Sequence, residues 1–209
     1  MSESYEDREL KMEKNRLEAL TDGIFAFAMT LLVTSLILPR SAVVSDTAAQ
    51  ALVSLLPDFY HYIIAFFVLA AFWMSHHIQF SNLRYIDKPF LFLNIIGLFF
   101  VTLIAFTTSF IGDYDNDITA TVTFEASLLI LGVIIAIQWA YATWNRRLVP
   151  PDFPEHRIRY GIVRNLVVPS VSFAAIVLAL LGFHNTTMMY MLLPPVSYAV
   201  DRWVKRQAL

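Results

Sequence analysis

Cysteine is absent from the 209 residues. That removes disulfides, thiolate catalysis and Cys-based metal sites. Charge is scarce: Asp, Glu, Lys and Arg make up 15% of the chain, against about 25% in soluble domains. The formal net charge of −2 offers no basic surface for nucleic acid. No nucleophile–base pair or metal constellation argues for an enzyme, and no cofactor is expected. A secretory signal is also missing. Met1 to Arg16 mix acids and bases, and the apolar run that follows ends at Leu38-Pro39-Arg40 without a small-residue cleavage site. It reads as a retained helix. Low-complexity linkers and internal repeats are lacking, so one domain is expected over 1–209.

What the chain does have is apolar surface. Hydrophobic residues make up 57% and the mean hydropathy is +0.59, beyond the about 45–50% apolar content of soluble domains. A spanning helix needs about 20 largely apolar residues. Six segments qualify, at about 17–38, 51–80, 90–111, 118–143, 162–183 and 186–204. The second is long enough to include a short outer helix before Pro57. The fifth carries Pro169 and the sixth is interrupted by Pro194-Pro195. The expected fold is an all-α polytopic membrane protein.

Basic residues orient these spans. With the N-terminus in the cytoplasm, the inner segments hold Arg8, Lys11, Lys14, Arg16, Arg84, Lys88, Arg146, Arg147, Arg157, Arg159, Arg164, Arg202, Lys205 and Arg206. Of the fifteen Lys and Arg residues, Arg40 alone falls outside. This asymmetry predicts both termini in the cytoplasm, which requires an even number of spans. Trp144, Trp203, Tyr141, Tyr160 and Tyr198 sit near the inner ends as interface anchors.

Polar residues inside spans are informative because they are costly there. Arg16 and Asp22 flank the start of the first helix but, six residues apart, do not face each other. Asp22 either reaches the headgroups or caps the helix with Thr21, or else binds groups on other helices. Trp73, His76 and His77 end the second span in the same layer, and Asn94 opens the third. These residues could form one interhelical network. The adjacent histidines lack a second ligand pair for metal. Their proximity to Asp22 also admits a proton channel or proton-coupled transporter.

Further along the first helix, Phe27, Thr30, Leu31, Thr34 and Leu38 recur at three and four residues. They form either a packed helix seam or the lining of a pore in a homo-oligomer. Gly23, Ala26 and Ala28 would let first helices approach closely. The outer loop Asp113-x-Asp115-x-Asp117 begins like a calcium loop, but Ile118 and Phe124 occupy the positions that need Gly and Glu. An acidic turn remains, or a vestibule that concentrates cations.

The segment from Arg16 to Ala26 resembles the signature of the transmembrane protein 175 family of potassium channels, Arg-x-x-x-Phe-Ser-Asp. Arg16 and Asp22 match, and Leu20 and Thr21 replace Phe and Ser. Phe72-Trp73-x-x-His76-His77 and Asp87-Lys88-Pro89 with Leu93-Asn94 are similar to the family too. The resemblance implies a homotetramer of six-helix subunits in the cell membrane, with the first helix around a pore for monovalent cations and potassium as the permeating ion. It implies Phe27 at the narrowest ring, Thr30 as the pore threonine, and Leu31 and Thr34 at further rings. Phe27 is bulkier than the family's usual Ile or Leu. Thr34 puts a hydroxyl where an apolar residue is usual. The filter Thr-Val-Gly-Tyr-Gly of ordinary potassium channels is absent.

Overall fold

A computed structural model describes residues 5–37, 47–114 and 117–207, with side chains over 13–37, 47–114, 117–200 and at Arg202. Leu38, Pro39, Arg40, Asp115 and Asn116 lie outside the described residues, as do the side chains of Arg8, Lys11, Trp203, Lys205 and Arg206.

Among the described residues every regular element is helical. Helix α1 is Tyr5–Leu31, α2 Ala48–Ser54, α3 Leu56–Asn82, α4 Lys88–Asp113, α5 Ile118–Thr143, α6 Glu155–Leu180 and α7 Leu193–Gln207. Tighter 3-10 turns cover Leu32–Ser35, Trp144–Arg146 and Thr186–Leu192. Among the described residues, five stretches are long and apolar enough to cross a membrane: Glu13–Ser35, Leu56–Asn82, Lys88–Asp113, Ile118–Arg146 and Glu155–Leu180. At 1.5 Å per residue, a helix such as α4 measures about 39 Å, more than the ~30 Å hydrocarbon core.

The helix ends have local causes. Asp87 accepts a hydrogen bond from Phe90 N at 3.0 Å, with Pro89 in the first turn, and this starts α4. Asp117 accepts from Thr119 N (2.8 Å) and Ala120 N (3.1 Å) and starts α5. Thr47 and Gln50 form a reciprocal capping box on α2. Helix α6 begins at Glu155, seven residues before the expected Ile162, because Pro154 supplies a break with a helix-compatible φ. It ends in a reciprocal pair of bonds, Gly182 N to Ala179 O and Phe183 N to Leu178 O. Gly182 takes φ +88° there, which a side chain would resist.

Helix α5 is the packing centre of the protomer, between α4 and α6. It is the most buried of the five spans. Gly132 explains its closeness to α6. A Cβ built there would lie 2.7 Å from Pro169 Cγ, so only glycine admits the proline ring. One large apolar core joins Phe25, Leu32, Leu69, Val101, Phe124 and Leu131. A smaller one at the opposite end joins Leu17, Phe80, Phe90, Trp139, Leu148 and Phe153. The sixth segment is split: a 3-10 stretch runs to Leu192, and α7 follows with Pro194 and Pro195 in its first turn, where missing N–H groups cost nothing.

Candidate pore-lining helix and its anchor

Helix α1 has two opposite faces. Leu17, Thr21, Phe25, Ala28 and Leu32 recur at three and four residues and are buried against α3 and α4. The other face carries Arg16, Leu20, Gly23, Phe27, Thr30 and Thr34, at spacings of four and three, all exposed in the protomer. Phe27 is 63% exposed, whereas Phe25, two residues away, is 2% exposed. Leu31 borders this stripe at 38%. Gly23 leaves open space: a Cβ there would meet nothing within 4 Å. Leu38, the last apolar residue of the expected stripe, lies outside the described residues.

The α-helical pattern stops at Leu31 and tightens over Leu32–Ser35. Hydroxyl groups accompany this change. Thr30 donates to Phe27 O at 2.8 Å, Thr34 to Leu31 O at 2.6 Å and Ser35 to Leu32 O at 2.8 Å. These bonds reach three residues back, as the hydroxyls of Thr102 and Ser127 also do within regular spans. Each hydroxyl spends its proton on the backbone, so its oxygen lone pairs stay available to an outside donor or cation.

The buried face is fixed by polar contacts in one layer. Trp73 Nε1 donates to Asp22 Oδ1 at 2.9 Å. Trp73 stacks on His77, with ring centroids 5.7 Å apart, and His77 Nδ1 approaches Glu18 Oε1 at 3.8 Å. Behind them Asn94 Nδ2 donates to Thr21 Oγ1 at 3.2 Å and lies 3.3 Å from His76 Nε2. His76 and Asn94 are both buried. Lys14 Nζ adds a bond to Leu83 O at 2.7 Å. Two helices, α3 and α4, thus hold α1 in one rotation about its axis. Arg16 takes no part in this layer: it is exposed and makes no ion pair with a described residue. Thr21 and Glu18 join it, beyond the capping role expected of Thr21. The signal for Thr21 is its spacing of four from Leu17 and Phe25 on the buried face, and Glu18 lies three and four residues before Thr21 and Asp22.

Asp113 and Asp117 are exposed at the opposite end of the helices. Asp117 has a structural task as the cap of α5, and Asp115 lies outside the described residues. Glu125, the one charged residue within α5, stands outside every site expected from the sequence. It is fully buried and accepts a hydrogen bond from Thr186 Oγ1 at 2.7 Å, tying α5 to the split sixth segment. A lone acid inside a span carried that signal. Among the described residues, no group of three His, Asp or Glu side chains is placed to hold a metal ion.

Comparison with known proteins agrees with this architecture. The family model described as "Endosomal/lysosomal potassium channel TMEM175" matches residues 16–104, the stretch that holds the stripe and its anchor. A protein of Streptomyces collinus named as a potassium channel is 30% identical over 159 residues, covering 72% of this chain and 77% of its own length. One of Chamaesiphon minutus, also named as a potassium channel, is 27% identical over 175 residues, covering 78% of this chain and 86% of its own. In fold, the chain superposes on the crystal structure of a lysosomal potassium-selective channel TMEM175 homologue from Chamaesiphon minutus with a TM-score of 0.75. The identity there is 22%, and 92% of this chain and 98% of that one are covered. The chain is a multi-pass, all-helical membrane protein that belongs to the TMEM175 family, a family of channels and not of enzymes.

Proposed function

We propose that the protein is a potassium-selective cation channel, formed by four copies whose α1 helices surround a central pore. The observation that carries this reading is the exposed stripe of Phe27, Thr30, Leu31 and Thr34 on a helix whose other face is locked to α3 and α4. Lipid alone could cover apolar residues, but it gives no reason for exposed Thr30 and Thr34 hydroxyls or for the open space at Gly23. Close packing of first helices gives both a reason.

In this arrangement Phe27 forms the hydrophobic constriction, which conducts only when water enters it. Thr30 and Thr34 offer hydroxyl oxygens that replace part of an ion's hydration shell. Arg16, on the same stripe, pairs with a neighbouring subunit. Asp113 and Asp117, with Asp115, gather cations at the outer mouth. The 3-10 stretch and α7 together extend about 36 Å and form a sixth span. Both termini then lie in the cytoplasm, and the chain is one transmembrane domain in the cell membrane.

Flux into liposomes containing purified protein tests the reading. Potassium uptake should exceed sodium uptake, and Phe27→Ala or Thr30→Ala should change conductance or selectivity. A pH-driven current that ignores potassium would favour the proton reading. No preference for potassium, with no effect of either substitution, defeats the channel reading.

A further inference from the structure

We propose that neighbouring subunits join through α4 of one copy and α3 of the next, an aromatic ridge set into a groove. The assignment rests on the four-copy arrangement above, which leaves most of the contact between subunits open. Residues that line a pore face the pore. Helix α1 can therefore supply only part of the roughly 800 Å² per partner that a stable contact needs. Trp73 of α3 and Asn94 of α4 both hold α1. With the open stripe of α1 turned to the pore, α3 and α4 stand on either side of it. Rotation about the pore axis then brings α4 of each copy beside α3 of the next. Such a head-to-tail contact closes a ring.

Both flanking helices carry an outward stripe at helical spacing. On α4 it is Phe92, Ile95, Phe99, Thr102 and Phe106, and its three aromatic rings are 59–64% exposed. Asn94, Leu98, Val101 and Ile104, on the other side of the helix, are buried. On α3 the stripe is Ile63, Phe67, Met74 and Ile78, all exposed, with half-buried Ala71 at its middle. Ile63, Phe67, Ala71 and Met74 form one wall of a groove of about 530 Å³, and Met191 and Leu193 of the sixth segment stand opposite.

The two stripes share one register. Within a protomer α3 and α4 run antiparallel, and three contacts along them fix their levels. Gly112 lies against Asp58 with no room for a side chain between them. Asn94 Nδ2 lies 3.3 Å from His76 Nε2, and the rings of Phe80 and Phe90 are 5.6 Å apart. This register sets Phe92 level with Ile78, Ile95 with Met74, Phe99 with Ala71, Thr102 with Phe67 and Phe106 with Ile63, each to within one residue. An axis normal to the membrane preserves level, so the same pairs meet between copies. Their sizes match. Phe99 faces Ala71, the smallest residue of the α3 stripe, and Phe67, the bulkiest, faces Thr102, the smallest of the α4 stripe. Facing helices interdigitate in this way. Thr102 Oγ1 donates to Phe99 O at 2.8 Å, so its proton is already satisfied in an apolar contact. Lipid chains could cover either stripe, but they demand no match of size between the two.

The chain has no cysteine, so disulfide trapping between copies has no background. A disulfide needs Cα atoms within about 7 Å. Oxidised in membranes, F99C/A71C should give a ladder up to tetramers on a non-reducing gel, and so should T102C/F67C. F99C/I63C, displaced by about 12 Å along α3, should not. F99C and A71C alone should stay monomeric on the gel. A dimer of F99C alone would mean that ridge meets ridge, and would overturn the proposal. Native mass spectrometry reads the packing without cross-links. F99A and A71W should each weaken assembly roughly tenfold, and F99A/A71W should recover most of it. No loss in either single variant, or no recovery in the double, refutes the ridge and groove. G23C separates this contact from the arrangement it rests on, because it reports on first helices alone. Cross-linked G23C with no ladder from F99C/A71C or T102C/F67C overturns the α3–α4 contact and leaves the four-copy arrangement standing. No cross-link in any variant, with a monomer in the mass spectrum, overturns both.

Discussion

Gly132 and Gly23 should respond in opposite ways to the same substitution, and the structure says by how much. An added methyl at Gly132 would lie 2.7 Å from Pro169 Cγ and 2.8 Å from its Cδ, with Phe72 Cε1 at 3.4 Å. Carbon–carbon contact is comfortable near 3.5 Å, so the gap must open by about 0.7 Å or more. Pro169 is buried and its ring cannot swing aside. Helix α6 itself must therefore move, against a face that is packed along its length. Overpacking of this kind costs about 1–3 kcal/mol. Replacing a mid-helix glycine by alanine returns about 0.5–1 kcal/mol, so Gly132→Ala should be net destabilising, by about 1 kcal/mol at mid-range and up to about 2.5 kcal/mol. At Gly23 nothing opposes the methyl within the protomer, and the gain of about 0.5–1 kcal/mol should appear whole. Thermal unfolding of both variants in one detergent, followed by size-exclusion chromatography, reads the difference. Gly132→Ala should melt several degrees below Gly23→Ala. A Gly132→Ala protein as stable as the parent would mean that α5 and α6 are not this close. The larger Gly23→Leu adds a test of assembly: it should leave the protomer folded but reduce the oligomer, and an unchanged oligomer would refute close contact of first helices.

Other substitutions probe the anchor and the core. Asp22→Ala removes the acceptor of Trp73 Nε1 and should weaken assembly more than it alters ion preference; intact tetramers on a sizing column would count against this. Arg16→Ala should do the same, through loss of a contact between subunits. Glu125→Ala leaves the Thr186 hydroxyl without its acceptor, at a cost of about 1–3 kcal/mol. It should speed proteolysis near 182–192, while Glu125→Gln, which keeps an acceptor oxygen, should lose less; equal cleavage in both would show that the bond holds nothing. Asp87→Ala removes the cap of α4 and the partner of Tyr141 Oη at 2.6 Å. Capping alone predicts a loss of about 0.5–2 kcal/mol in the unfolding free energy, and no change in melting would refute that role.

Much of this protein is legible in its sequence because membrane helices form from local information. Their length, their apolar content and the satisfaction of backbone polar groups within each helix are set by neighbours along the chain. The helical class, the five long spans and the short helix before Leu56 therefore follow from composition and proline placement. So does the layer of Asp22, Trp73, His76, His77 and Asn94, because helix ends at the same side of a membrane share a depth. What the residues alone left open was which face of α1 the other helices would take. Phe25 and Phe27 are the same amino acid two positions apart, and only packing against α3 and α4 buries one and leaves the other exposed. The tertiary structure also decided that α5 lies at the centre, since the contact between Gly132 and Pro169 joins residues on different helices. Arg16 and Glu125 show the same limit. Both are charges near or within spans, and the sequence marks both as costly. Only the fold left Arg16 on the open stripe and enclosed Glu125 against Thr186, because the position of a side chain about its helix axis is fixed by its neighbours in space, not by its neighbours in the chain.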